Sequence, residues 1–269
     1  MRDEKKRLAL IGFGAMARSL QASFQRSGGE FAIAATLVPP ELAPAQDELG
    51  DVRLFTDVAD LLAWGPSLVI ECASHEAVRH FVPTMLRNGV DTIIVSVGSL
   101  GDKALLDGLK VAAAEGGSRL TAVSGAIGGL DVLKSARSAG IDSVAYTGMK
   151  PPNAWQGTPA ADAFDLATLK EPTVIFTGNA EQAARLYPKN ANVTAAVALA
   201  GIGFEATEVV LVADPALTRN CHKVDAKGAF GRFTIELQNE PLPENPKTSW
   251  LAALSIEEAI HSHFRPVDV

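Results

Sequence analysis

Three stretches of the sequence hold residue types in arrangements that can do chemistry. The first is Leu8-Ala9-Leu10-Ile11-Gly12-Phe13-Gly14-Ala15-Met16-Ala17, an apolar run entering G-x-G-x-x-A and continuing as an amphipathic segment. Gly12 permits the tight turn, Gly14 lets the backbone approach a pyrophosphate, and Ala17 permits close helix packing, so that a helix N-terminus faces the anion. The string predicts a dinucleotide site bordered by Gly12, Phe13, Gly14, Ala15 and Met16. The second is a pair of small-residue turns, Cys72-Ala73-Ser74 and Ser96-Val97-Gly98-Ser99, each following a strand-like run. Small residues at the carboxyl ends of parallel strands line a ligand crevice, which adds Ala73 to the expected cofactor contacts. The third is Asn220-Cys221-His222-Lys223-Val224, with Arg219 just before it. A histidine titrating near neutrality beside polar and cationic neighbours suits general acid or base work.

The other histidines offer less. His75 and His80 are five residues apart, roughly 140° around a helix, and cannot chelate together. His261 and His263 fall on a terminal amphipathic segment and are expected to be solvated or packed. Cys72 and Cys221 are far apart and form no CxxC, so neither a zinc cage nor a disulfide framework is signalled and no metal is expected. Cys72 has no evident base near it and reads as a packed thiol.

A dinucleotide site selective for NAD places Asp or Glu at the end of the second strand, about 20 residues beyond the glycines. Here that stretch is Ala34-Ala35-Thr36-Leu37-Val38, with neither a carboxylate to repel a 2′-phosphate nor an Arg to grip one. Weak discrimination follows, with both NAD and NADP used. A kcat/KM ratio between them above about 10³, roughly 4 kcal/mol, would contradict this.

These groups must be held by elements, and the pattern supplies them. From residue 8 to about 150, short β-branched runs alternate with Ala/Leu-rich segments, as in a parallel sheet with helical crossovers. Strands are predicted at Leu8 to Ile11, Phe31 to Val38, Val52 to Phe55, Leu68 to Cys72, Thr92 to Val97 and Leu120 to Val123. Helices are predicted at Met16 to Gln25, Val58 to Ala63, Glu76 to Arg87 and Lys103 to Ala114. Beyond the turn-rich run Lys150 to Pro159, an α+β pattern follows, with strands around Val174 to Thr177, Glu208 to Ala213, His222 to Ala226 and Arg232 to Leu237, and a helix at Val193 to Ala200. Asn245 is positioned to cap a last helix whose first turn holds Pro246, and this helix is expected to return to the first domain. The fold class is α/β: a Rossmann-type doubly wound parallel sheet plus a second α+β catalytic domain. The expected division is 1–125 for dinucleotide binding, 126–240 for catalysis and dimerisation, and 241–269 for the terminal helix.

Composition narrows the partners. The chain has 269 residues, a formal net charge of −7 and 20% charged residues. That balance argues against a surface built for nucleic acid or anionic lipid. Arg2, Lys5, Lys6 and Arg7 before an apolar run, with Ala15-Met16-Ala17 after it, imitate a secretory signal. Gly12 and Gly14 interrupt the run and Arg18 follows at once, which a buried strand entering a glycine turn explains better. No stretch reaches the roughly 18 to 20 apolar residues of a spanning helix, and a cytoplasmic location is expected.

Several further motifs, in order along nearly the whole chain, resemble those of bacterial and archaeal L-aspartate dehydrogenases. They are Gly12-Phe13-Gly14-Ala15-Met16, Ser124-Gly125-Ala126-Ile127-Gly128-Gly129, Tyr187-Pro188-Lys189-Asn190-Ala191-Asn192-Val193, Asn220-Cys221-His222, Gly228-Ala229-Phe230-Gly231-Arg232-Phe233 and Asn245-Pro246-Lys247-Thr248-Ser249. The resemblance implies homodimers and NAD(P)-dependent oxidative deamination of L-aspartate to iminoaspartate, which hydrolyses to oxaloacetate and ammonia or feeds NAD synthesis. It also implies that His222 is the catalytic histidine and that Ala126 and Asn192 touch the cofactor. The two substrate carboxylates require fixed cations or convergent donors, for which Lys150, Lys189, Asn190, Arg219, Lys247 and Thr248 are candidates. Rival readings are a reductase of the dihydrodipicolinate-reductase type and a non-catalytic NAD(P) sensor. The first is expected to carry a paired-histidine run with a nearby Lys, which is missing here.

Overall fold

The computed structural model describes residues 6–26, 31–188, 191–242 and 245–267. The chain divides into two compact units, one of residues 1–123 with 256–269, the other of residues 124–255.

The first unit alternates strand and helix. Its elements are β1 (Leu8–Ile11), α1 (Ala15–Arg26), β2 (Ile33–Leu37), α2 (Gln46–Leu49), β3 (Arg53–Phe55), α3 (Val58–Trp64), β4 (Leu68–Glu71), α4 (His75–Arg87), β5 (Thr92–Ile94), α5 (Lys103–Gly116) and β6 (Leu120–Ala122). The six strands are parallel in the order β3-β2-β1-β4-β5-β6, the doubly wound arrangement in which strand order reverses beside β1. Every residue of β1, β4 and β5 is buried, as a sheet covered on both faces demands. Helix starts follow local chemistry: Ser74 Oγ accepts from the Ala77 amide at α4, and Asp102 Oδ1 from the Leu105 amide at α5.

The second unit holds α6 (Leu130–Ala136), β7 (Ile141–Lys150), α7 (Pro159–Ala163), β8 (Thr173–Asn179), α8 (Ala180–Leu186), α9 (Ala191–Ala200), β9 (Glu208–Ala213), β10 (Asn220–Gly228), β11 (Gly231–Asn239), β12 (Pro241–Leu242) and β13 (Asn245–Ser249). Five strands form a mixed sheet, β11-β10-β7-β9-β8. Trp155 is fully buried and its indole N–H donates to the Val212 carbonyl at 3.2 Å. Helix α9 is small-residued and buried almost all round, as a core helix should be.

One expectation fails locally. Asn245 does not cap a helix with Pro246 in its first turn: residues Asn245–Ser249 are strand β13, paired antiparallel with β12, and the last helix, α10 (Trp250–Phe264), begins after it. Cap and first-turn preferences are local, and pairing with the preceding strand overrides them. The helix does return, since its residues from Ile256 onward belong to the first unit. Ile256 and Ile260 are fully buried, Phe264 stacks on Phe31 at 5.2 Å, and His261 meets the Phe31 ring edge-on at 5.1 Å. No helix among the described residues is long and apolar enough to cross a membrane.

Candidate active site

In the first unit the turn after β1 opens onto a cleft of about 870 Å³. Gly12 there has φ +91°, and a Cβ on it would stand 2.7 Å from the Cβ of Ala73. Only glycine fits the turn, and this brings the β4 turn against the β1 turn. Nothing lies within 4 Å of a Cβ built on Gly14, so the backbone there is open to a ligand. Gly12, Phe13, Gly14 and Ala73 line the cleft, whereas Ala15 and Met16 start α1 behind it. A close backbone turn leading into a helix N-terminus, with open space before it, fits a pyrophosphate.

Ala73 is held by a group the sequence reading passed over. Glu71, at the end of β4, is fully buried. One carboxylate oxygen accepts from the Ala73 amide at 2.7 Å and the Ser96 hydroxyl at 2.9 Å. The other accepts from the amides of Ser96 at 3.0 Å and Val95 at 3.3 Å. Burial raises its pKa above the usual carboxylate range, opposed by these bonds. The small-residue turns at Ala73 and Ser96 are thus two ends of one clamp. Burial, with the Glu71 charge second, raises the pKa of the neighbouring Cys72 thiol well above its ordinary value, which favours the protonated form.

At the other end of the cleft, past β2, stand Val38, Pro39 and Pro40, together with charges that the strand sequence does not contain: Arg18 from α1, Glu41, and Glu48 from α2. Arg18 Nη1 lies 2.6 Å from Glu48 Oε2.

The second unit carries the candidate acid-base residue, His222. Strand β10 pairs antiparallel with β7 so that His222 stands directly opposite Gly148. Tyr146 and Lys150, two residues to either side of Gly148, share that face by the period-two rule and become the diagonal neighbours of His222. The Tyr146 hydroxyl is 2.8 Å from Nδ1 of His222, and the rings lie 14° from parallel. Gly148 makes room for this, because a Cβ there would come within 2.7 Å of the Tyr146 oxygen. His222 is 3% exposed and its Nε2 has no hydrogen-bond partner. The expectation of a histidine titrating near neutrality is corrected: burial, with the Lys150 charge second, lowers its pKa to about 3. Burial also lowers Lys150 to about 8, with its ammonium 5.5 Å from the Trp155 ring centroid. Burial raises the Tyr146 phenol well above its ordinary value, so it remains protonated.

The remaining candidates separate. Arg219 pairs with Glu240 at 2.5 Å, and Asn220 Nδ2 donates to Ser249 Oγ at 3.2 Å, tying β13, which also holds Thr248, to the start of the His222 strand. Lys247 lies on β13, with its side chain outside the described part; Lys189 and Asn190 lie outside the described residues. Ala126 is buried and its carbonyl accepts from Asn239 Nδ2 at 2.8 Å, while Asn192 sits in the first turn of α9. Tyr146, Lys150 and His222 share one sheet face, and of these the sequence reading missed only Tyr146. A small residue alternating with Tyr146 and Lys150 was its one signal.

Comparisons with known proteins agree with both units. Residues 12–122 match the family model described as homoserine dehydrogenase, NAD binding domain, and residues 131–263 that described as aspartate dehydrogenase, C-terminal. A curated L-aspartate dehydrogenase of Pseudomonas aeruginosa is 40% identical over 97% of this chain and 99% of its own. One of Ralstonia pickettii is 48% identical over 75% of this chain and 76% of its own. The crystal structure of aspartate dehydrogenase from Thermotoga maritima, 27% identical, superposes with a TM-score of 0.77 over 98% of this chain and 99% of that one. With a dinucleotide-type turn on one unit, a buried histidine on the other, and this likeness sustained from end to end, the chain belongs to the L-aspartate dehydrogenase family.

Proposed function

We propose that the chain oxidises L-aspartate with NAD or NADP to iminoaspartate, which hydrolyses to oxaloacetate and ammonia. The observation that carries this is His222: a buried imidazole with one nitrogen on Tyr146, the other unpartnered, and a desolvated ammonium from Lys150 beside it. A dicarboxylate amino acid offers such a site a carboxylate to set against the cation and an ammonium for the base.

When bound, the dinucleotide takes the hydride that leaves the α-carbon. Gly12, Phe13, Gly14 and Ala73 would hold it; Ala126 and Asn192 are the further candidate contacts that the family resemblance implies. Lys150 would take one substrate carboxylate; Thr248 is a candidate for the other, as are Lys189, Asn190 and Lys247. For Nε2 of His222 to accept the substrate ammonium proton, Nδ1 must carry the ring proton and donate to the Tyr146 oxygen. That bond persists when Nε2 is protonated, so the ring keeps its orientation through the cycle. A carboxylate on Lys150 offsets the positive charge beside His222, so substrate binding raises the basicity of the imidazole that must use it. Once the ammonium proton has passed to solvent, Nε2 of His222 can take a proton from the water that attacks the imine carbon, a contribution of typically about 10²- to 10⁴-fold for a positioned acid or base.

The protein is further proposed to act as a homodimer in the cytoplasm, with its iminoaspartate available to NAD biosynthesis. The test is a set of initial rates with NAD and with NADP on L-aspartate, D-aspartate, L-glutamate, L-homoserine and L-alanine. Turnover confined to L-aspartate is expected. Cofactor binding without turnover on any of them would favour a sensor and discard the dehydrogenase reading.

A further inference from the structure

The cleft of the first unit must receive the adenosine ribose near the end of β2, where a carboxylate selects a free 2′-hydroxyl and an arginine accommodates a 2′-phosphate. In this chain Val38, Pro39 and Pro40 occupy that end and offer neither. The charges that face the cleft there come from elsewhere: Glu41 beyond the prolines, Glu48 on α2 and Arg18 on α1. Arg18 is the sole Arg or Lys among the described residues lining the cleft.

Its guanidinium is held in place. Nε donates to the Phe13 carbonyl at 3.3 Å, the group lies 5.7 Å from the centroid of the Phe13 ring, and Nη1 donates to Glu48 Oε2 at 2.6 Å. Arg18 and Glu48 side chains remain 53% and 39% exposed. An ion pair so open to water adds little to stability, and a phosphate that binds a guanidinium through two oxygens can replace one carboxylate oxygen. We propose that Arg18 is the residue through which this chain accepts the 2′-phosphate of NADP, and that Glu48, by holding the same guanidinium when NAD is bound, sets how readily it does so. The proposal rests on the reading that this cleft takes a nicotinamide dinucleotide. It accounts for dual cofactor use without any charge on β2: the carboxylates Glu41 and Glu48 tolerate a ribose hydroxyl, and the arginine counters them when a phosphate arrives.

The test is the dissociation constants of NADPH and NADH, read by fluorescence titration of the unmodified protein and of R18M and E48Q, without substrate or turnover. R18M is expected to weaken NADPH at least tenfold and NADH less than threefold. E48Q is expected to tighten NADPH about threefold or more, with NADH unchanged or weaker. Equal changes for both dinucleotides in R18M, or no change for either, would overturn the assignment while leaving the cleft as a dinucleotide site. NADH binding without NADPH binding in the unmodified protein would overturn it as well. Binding of neither would overturn the cleft reading itself, and the proposal with it.

Discussion

The Tyr146 hydroxyl sits 2.8 Å from Nδ1 of His222, although 76 residues separate them in sequence. The β7–β10 register makes the contact, and Gly148 leaves the space for it. Tyr146→Phe removes the only hydrogen bond shown for the imidazole, and a typical bond of this kind is worth about 0.5–1.5 kcal/mol. We expect kcat to fall roughly three- to tenfold with little change in the NAD dissociation constant. An unchanged kcat in a variant that retains its fold by circular dichroism would remove Tyr146 from the positioning of His222.

Gly148 has an ordinary extended backbone, so Gly148→Ala strains no dihedral; its cost is steric. The new Cβ would meet the Tyr146 oxygen at 2.7 Å and Leu211 Cδ2 at 3.2 Å. Overpacking of this kind costs about 1–3 kcal/mol. A fall in Tm and in kcat is expected, and the loss in the G148A/Y146F pair should be smaller than the sum of the single losses, because Phe lacks the atom most nearly struck. Strict additivity in that double-mutant cycle would mean that the two positions do not share the site.

The parallel half of the fold is legible in the sequence because strands buried on both faces carry continuous apolar runs, as Leu8 to Ile11 and Leu68 to Ile70 do, and the glycine turn marks where the first of them ends. His222 is legible as a residue but not as an environment. Its depressed pKa comes from burial and from Lys150, which reaches it only through cross-strand register. Glu48 is invisible for the same reason: the sequence rule looks at the end of β2, whereas the charge arrives on a separate short helix. Asn245-Pro246 misleads because a local helix-start signal was outweighed by pairing with Pro241–Leu242.

Lys150 gives a pH signature. Its pKa of about 8 means that the ammonium present at neutral pH is lost as pH rises through that value. If it grips a substrate carboxylate, kcat/KM for L-aspartate should fall above about pH 8, and this limb should vanish from the already much lower activity of Lys150→Met. The bound carboxylate favours the charged form, so the corresponding limb in kcat should move to higher pH. Stability runs the other way. The folded-state pKa lies below that of an unfolded lysine, so below pH 8 the buried charge is a full penalty, and folding should gain as pH rises from there toward 10.5. A flat kcat/KM profile from pH 7 to 10 would remove Lys150 from substrate binding.

Glu71 is a buried acceptor surrounded by donors, and Glu71→Gln tests whether that matters for the cofactor turn. A glutamine has one oxygen where the carboxylate has two. Turned one way, its NH₂ faces the amide of Ala73; turned the other, it faces the amides of Val95 and Ser96. The Ser96 hydroxyl can rotate to accept, but backbone amides cannot, so either orientation strands at least one buried donor at a cost of about 1–3 kcal/mol. Because the strained turn contains Ala73, which packs on Gly12, the loss should reach the dinucleotide: a lower Tm together with a roughly tenfold weaker NADH dissociation constant. Ser96→Ala keeps the carboxylate and all three amides and removes only the hydroxyl, so it should cost less on both measures. If E71Q lowers Tm but leaves NADH binding untouched, Glu71 supports the sheet alone and the clamp has no bearing on the cofactor.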